Sequence, residues 1–380
     1  MMSRVYLDSN ATTGVDPRVR EVMLSELSVE PSNPSSVHFF GQQAKKKLTA
    51  ARETIASFLQ VKPQEILFTS GGTEAMNMLI RGILDRTPEG HVKGHVISTD
   101  VEHSSVYQTL CALQPKGCAL SFLPAGLWGA VQPEAIQSAL RRDTRLIVLS
   151  AVNNETGVKH DIAAIAAIAE HAGVPLVVDG VALLGKELFS IPLGVSGMGF
   201  SGHKFHGPKG VGFAFLRSGV KISPLLTGGD QEFKMRAGTE NLIGIIGMAQ
   251  AIALLRNALP QATHQMALLR DRLENGLIAR VDPVIVNGMG PRIANTSNLS
   301  FPDLQGEDLL IALDMAGIAV SHGSACAAGA LEPSRVLTHM GVPPPIARSA
   351  LRFSLSRWTT EAEIDHCLDV LTAIIKRLRG

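Results

Sequence analysis

Charge of one sign, aromatic rings, cysteine and long apolar runs are all scarce in this sequence. Its 380 residues hold 35 Lys and Arg against 34 Asp and Glu, a formal net charge of +1. A near-neutral chain has no global basic footprint for nucleic acid and no acidic tail. Phe, Trp and Tyr make up 4%, so aliphatic side chains must do most of the packing. The longest mostly apolar stretch, residues 242–255, contains Gln250 and falls short of the roughly 18 residues of a membrane span. It reads as a buried helix, and no membrane partner is expected. The N-terminus has no apolar core of a signal peptide. Cys111, Cys118, Cys326 and Cys367 form no C-x-x-C pair, so neither a metal spacing nor a dense disulfide framework is expected. Reduced thiols in a cytoplasm are the expectation.

Hydrophobic residues reach 45% and charged residues 18%, which is globular composition. The length suits about two domains with real cores. Residues 65–69, 95–98, 145–150 and 175–179 read as buried strands. Between the last two, Ile162, Ile165, Ile168 and Ala169 recur at helical spacing, with Asp161 as N-cap and Gly173 past the end. Strand–helix–strand alternation with nearly continuous apolar strands predicts a parallel sheet covered on both faces. Residues 197–201 and 211–216 read as further strands, joined by a short loop and therefore antiparallel. After Pro260 the texture changes. A long helix is predicted over 265–281, a strand over 295–301, a helix over 307–315, and strands over 318–321 and 351–355. The last helix opens with a capping-box pattern, Thr360 and Glu363. The expectation is an α/β chain. A large, mostly parallel domain spans 15–258, and a smaller α+β domain spans 259–380 with residues 1–14 packed on it.

Ligands of α/β sheets bind beyond the C-terminal ends of the strands, so the residues there matter most. After residues 65–69 comes Ser70-Gly71-Gly72-Thr73-Glu74 and a predicted helix. Such a turn presents free N–H groups to a phosphate, although Gly-Gly-Thr alone is often only a tight turn. The next strand ends deliver Glu102-His103, Asn153-Asn154-Glu155, Asp179 and Ser201-Gly202-His203-Lys204. Singly, His103 reads as a structural histidine, Asp179 as an N-cap and Lys204 as a surface lysine. Together at one sheet edge, a carboxylate, a lysine and a phosphate cradle are what pyridoxal phosphate requires.

The chain also resembles a known family. It carries Tyr6-Leu7-Asp8-Ser9-Asn10-Ala11-Thr12-Thr13, Ser32-Asn33-Pro34-Ser35-Ser36, Ser70-Gly71-Gly72-Thr73-Glu74, Glu102-His103 and Val152-Asn153-Asn154-Glu155. It continues with Ser201-Gly202-His203-Lys204, Arg236-Ala237-Gly238-Thr239, Gly323-Ser324-Ala325-Cys326 and Leu351-Arg352-Phe353-Ser354. In this order they resemble the pyridoxal-phosphate-dependent cysteine desulfurases of the NifS/IscS type, with the class V aminotransferase fold (fold type I). The resemblance implies that Lys204 binds the cofactor covalently, that Asp179 keeps its ring nitrogen protonated, and that His103 stacks on the ring as acid or base. Gly72, Thr73, Ser201 and His203 would hold the phosphate. Thr239 would reach the cofactor of the other subunit of a homodimer. Asn154 would lie near the ring hydroxyl or the substrate. Arg352 would clamp the carboxylate of L-cysteine as a bidentate cation, with Asn33 nearby.

Cys326 sits in Ser321-His322-Gly323-Ser324-Ala325-Cys326-Ala327-Ala328-Gly329-Ala330. Residues this small offer little to pack, so a mobile loop is expected. Cys367 and Cys111 lie in apolar periodic runs and read as core, while Cys118 is in a turn-like segment. Cys326 is thus the candidate nucleophile. The resemblance implies that its thiolate takes the substrate sulfur, leaving alanine and a persulfide, with His103 or His322 as candidate bases. The persulfide would pass to an acceptor such as an iron–sulfur scaffold. One departure stands out: the family carries Gln three residues after the aspartate, and this chain has Ala182. Rival readings are a selenocysteine lyase or an aminotransferase on the same fold, or a non-catalytic cofactor-binding partner protein.

Overall fold

The computed structural model describes residues 4–85, 94–323 and 333–380; the expected nucleophile, Cys326, lies outside the described residues. The described strands are β1 (Val5–Tyr6), β2 (Ile66–Thr69), β3 (Gly94–Thr99), β4 (Cys118–Leu123), β5 (Thr144–Ser150), β6 (Leu176–Asp179), β7 (Val195–Ser201), β8 (Gly212–Leu216), β9 (Ile285–Val286), β10 (Thr296–Ser300), β11 (Ile318–Ala319) and β12 (Ala350–Ser354). Seven of them form one sheet in the order β2-β8-β7-β6-β5-β3-β4. Only β8 runs against its neighbours, pairing antiparallel with β2 and β7. The sheet is therefore mostly parallel, as the alternation of strands and helices predicts.

Both faces of this sheet are covered, and the strands show why they are apolar throughout. In β5, Ile147 and Leu149 enter one core cluster while Leu146 and Val148 enter the cluster on the opposite face. All four are fully buried, each worth roughly 1.5–3 kcal/mol. The helix Ile162–Ala172 begins where expected: Asp161 Oδ1 accepts from the N–H of Ala164 at 3.0 Å, and Gly173 closes it at φ +65°.

A second core lies around the three-stranded antiparallel sheet β12-β10-β9 and the parallel pair β1-β11. Val5 and Leu7 are buried in it, so the N-terminal segment packs with C-terminal elements. The final helix, Glu361–Arg379, has the predicted capping box: Thr360 Oγ1 accepts from Glu363 N, and Glu363 Oε2 accepts from Thr360 N at 2.8 Å.

Three expectations are corrected. The helices predicted near 242–255 and over 265–281 are one continuous helix, Leu242–Arg280, running through Pro260. Proline normally interrupts a helix. Here Leu255 and Leu259 are fixed in one core while Met266 and Leu269 are fixed in the other, and packing carries the helix across the missing hydrogen bond. By length and composition it could cross a bilayer, but 56% of its most apolar window is buried inside the protein. Cys118 starts a strand, β4, parallel to β3. Its thiol is buried and pushed up to about 11 by burial. Cys111, expected in the core, is only half-buried.

Candidate active site

The ends of β2, β3, β5, β6 and β7 open on one cavity of about 240 Å³. Gly72, Thr73, His103, Asn154, Asp179, Ser201, His203, Lys204 and Arg352 all line it. Nine expected site residues, from sequence positions as far apart as 72 and 352, thus meet in one place.

The glycine turn is held from behind. Ser70 N donates to Glu74 Oε2 at 2.8 Å, and Arg236 Nε donates to Glu74 Oε1 at 2.7 Å. Gly72 begins the helix Gly72–Leu84, whose first N–H groups have no intrahelical acceptor. A Cβ on Gly72 would stand 2.6 Å from Val181 Cγ2, so a side chain there would close the gap between the two turns. His103 caps the helix Ser104–Cys111, its Nδ1 accepting from Ser105 N at 3.1 Å and meeting Ser105 Oγ at 2.8 Å. Nε2 is left as the ring nitrogen for proton exchange. Burial lowers its pKa, against the attraction of the Asp179 charge.

Asn154 owes its position to its neighbour. Asn153 Oδ1 accepts from the N–H groups of Glu155 and Thr156, both at 3.0 Å. The carbonyl of Asn154 accepts from Asn10 Nδ2 and from Arg352 Nη1, both at 3.1 Å. Asp179, 5% exposed at the end of β6, accepts from Val181 N through Oδ1 at 3.0 Å. Burial raises its pKa, and the charges of His103 and Lys204 oppose that rise. A cation set against this carboxyl would relieve the cost of burying its charge.

Lys204 ends the short turn Gly202–Lys204 after β7. Its Nζ donates to the carbonyls of Asn10 at 2.5 Å and Ala11 at 2.9 Å. His203 Nδ1 meets Thr12 Oγ1 at 3.1 Å, and burial holds the ring down at about 4. Arg352, in the middle of β12, is 1% exposed. At that burial it is no surface salt bridge. The guanidinium does pair with Asp8, and its Nε has no partner among the described residues.

Two expected residues lie elsewhere on this chain. Asn33 is exposed, and its Oδ1 accepts from Ser35 N at 2.9 Å. Thr239 is exposed on the loop after Arg236, outside the cavity. Other lining residues were not singled out from sequence: Ser9, Asn10, Ser105, Ser150 and Lys186. Asn10 is nearly buried and binds Asn154, Thr296 and Asn295. Its signal was available, since polar residues directly follow the short strand β1. Lys186 had no such signal, because nothing in Gly185-Lys186 distinguishes it from a surface turn.

The residues present fit pyridoxal phosphate. A glycine turn at a helix N-terminus with Thr73, Ser201 and His203 suits the phosphate, a buried carboxyl suits a pyridinium, and a lysine amine stands in the same cavity.

Comparison with known proteins gives the same direction. The family model "Aminotransferase class-V" matches residues 5–367. A cysteine desulfurase of Nostoc sp. is 41% identical over all of this chain and 94% of its own length. A cysteine desulfurase of Cereibacter sphaeroides is 42% identical over all of this chain and 97% of its own. Among solved structures, a NifS-like protein superposes with a TM-score of 0.90 at 35% identity, covering 98% of this chain and 100% of the other. The structure described as SspA in complex with cysteine gives 0.82 at 29% identity, covering 94% and 100%. The chain belongs to the class-V aminotransferase family, among the relatives of the cysteine desulfurases.

Proposed function

We propose that this chain is a cysteine desulfurase. It binds pyridoxal phosphate on Lys204, removes sulfur from L-cysteine and receives it on Cys326. The observation that carries this reading is the meeting of Lys204, Asp179, His103 and Arg352 in one cavity. The bound cofactor supplies an electron sink for the substrate's Cα. Gly72, Thr73, Ser201 and His203 hold its phosphate. Asp179 keeps its ring nitrogen protonated.

The protein's own groups do the rest. Arg352 binds the substrate carboxylate and fixes the orientation of Cα. Lys204 Nζ takes the Cα proton, and His103 Nε2 is placed to hold or return a proton. The Cys326 thiolate forms a bond to the substrate sulfur as the Cβ–S bond breaks. That bond's electron pair stays with carbon, which takes a proton and leaves as alanine, so the enzyme keeps a persulfide. The reading includes a homodimer in which Thr239 reaches the neighbouring subunit's cofactor, which its exposed position supports. It includes an acceptor protein such as an iron–sulfur scaffold. It also includes a reducing cytoplasm, in keeping with the free thiols of Cys111, Cys118 and Cys367.

The test is product analysis with L-cysteine and a reductant. Alanine and sulfide should form in equal amounts, and Cys326→Ala should abolish both. A keto acid without sulfide, or undiminished sulfide from C326A, would overturn the assignment.

A further inference from the structure

Asn10 joins three separate segments around the cavity. It is 8% exposed and lines the cavity with Asn154 and Arg352. Its side-chain amide has partners at both ends. Nδ2 donates to Thr296 Oγ1 at 2.9 Å and to the carbonyl of Asn154 at 3.1 Å. Oδ1 accepts from Asn295 Nδ2 at 3.0 Å. Thr296 Oγ1 in turn donates to Asn295 Oδ1 at 3.0 Å. Asn10, Thr296 and Asn295 therefore close a ring in which each side chain donates to the next. A flipped amide would set its oxygen against the Asn154 carbonyl and its nitrogen against the Asn295 amide. The ring thus fixes which end of Asn10 faces Asn154.

The main chain of Asn10 is held as well. Its N–H donates to Ser354 Oγ at 2.9 Å. Ser354 stands two residues beyond Arg352 on β12 and pairs with Thr296 across the small sheet. Residues two apart on a strand share a face, so Asn10 lies on the face of β12 from which Arg352 projects. The Asn154 carbonyl completes the link. It accepts from Asn10 Nδ2 and from Arg352 Nη1, each at 3.1 Å. Arg352 is anchored at two points, this carbonyl and the Asp8 carboxylate. A planar guanidinium anchored at two nitrogens has one orientation, so movement of the Asn154 carbonyl turns the fork. A role in packing alone would need only the ring. The second N–H of Asn10 goes instead to a carbonyl outside the ring, the one that Arg352 uses.

We propose that Asn10 is a positioning residue for substrate binding: it fixes the Asn154 carbonyl and, through it, the fork that Arg352 offers to the carboxylate of an amino-acid substrate. The proposal deepens the desulfurase reading and rests on its assignment of Arg352 as the carboxylate clamp.

The test uses the full chain carrying pyridoxal phosphate, with L-alanine and L-alaninamide as probes. The two share an amine and a side chain, and only L-alanine has the carboxylate. The shift of the cofactor's visible band gives a dissociation constant for each. The unaltered protein should prefer L-alanine. In Asn10→Ala the constant for L-alanine should rise about tenfold, the scale of one weakened hydrogen bond to a charged group, and that for L-alaninamide should not change. General damage to the fold or to the cofactor site would move both constants together. Asn10→Ser keeps the main-chain contacts and is too short to reach Asn154. It should give the same split, and it decides the matter if N10A does not fold. A preference for L-alanine kept at full strength in either folded variant would overturn the proposal. No such preference in the unaltered protein would overturn the clamp assignment and this proposal with it. A preference lost in N10S, with no sulfide formed from L-cysteine by the unaltered protein, would count against the desulfurase reading and leave this one standing.

Discussion

Arg352 Nη2 donates to Asp8 Oδ1 at 2.7 Å across the join between the N-terminal segment and β12. The pair is buried on the arginine side, and Nη1 is used by the carbonyl of Asn154. Asp8 thus holds the guanidinium in place while Nε, buried and without a partner among the described residues, still needs an acceptor. A substrate carboxylate would satisfy it. Lysine at this position keeps the charge but not the fork. Arg352→Lys should raise KM for L-cysteine by about 30-fold or more, in line with about 2 kcal/mol for losing one buried charged hydrogen bond. Steady-state kinetics check this, and an unchanged KM would remove Arg352 from the substrate clamp.

Gly72 allows two turns to approach. Its missing Cβ leaves 2.6 Å to Val181 Cγ2, next to Asp179. Gly72→Ala should spread the cradle without disturbing the core, so the cofactor-free chain should melt within a few degrees of the original. The dissociation constant for pyridoxal phosphate should rise about fivefold, as expected of about 1 kcal/mol of overpacking. Titration of the visible absorption band with pyridoxal phosphate measures it.

Ala182 lines the cavity beside Val181, where relatives of the resembled type carry a Gln amide. Ala182→Gln adds a donor toward the cofactor's ring oxygen. That donor competes with the attraction between the oxygen and the protonated lysine linkage. The pH midpoint of the visible absorption band should therefore fall in A182Q. An unmoved midpoint would mean that residue 182 does not face the ring oxygen.

Glu102 is a buried acid beneath the site. It is fully buried, and Oε1 accepts from Thr99 Oγ1 at 2.8 Å. Burial, aided by the Asp179 charge, pushes its carboxyl up to about 7 from 4.5. Between these two values the folded chain holds a proton that the unfolded chain has released. Stability from this group is therefore greatest below 4.5 and falls as pH rises toward 7. Glu102→Gln, permanently neutral, should remove that fall. Relative to the original, E102Q should gain on the order of 3 kcal/mol between about pH 5 and pH 8. Urea denaturation of the cofactor-free chain at the two pH values checks it.

Much of the site was legible because local rules place it. Continuously apolar strands end at turns, and a parallel sheet aligns those ends. That logic brought Gly72, His103, Asn154, Asp179, Ser201 and Lys204 together from spacing alone. Arg352 was legible for a different reason: a charge inside Leu351-Arg352-Phe353 has no place in a strand buried among apolar neighbours unless something pairs with it. The long helix was misread because a local rule about Pro260 was overruled by packing against two cores.

The sequence by itself determined the α/β order of elements, the glycine turn, the lysine turn and the capped last helix, since each depends on residues within a few positions of one another. Tertiary structure alone decided that Asn10 and Ala11 hold the Lys204 amine, that Asp8 orients Arg352, and that Lys186 lies behind Lys204. Those contacts join segments from 18 to 344 residues apart. No local propensity specifies such a pairing; it arises where the two cores close on each other and leave polar groups that must find partners away from water.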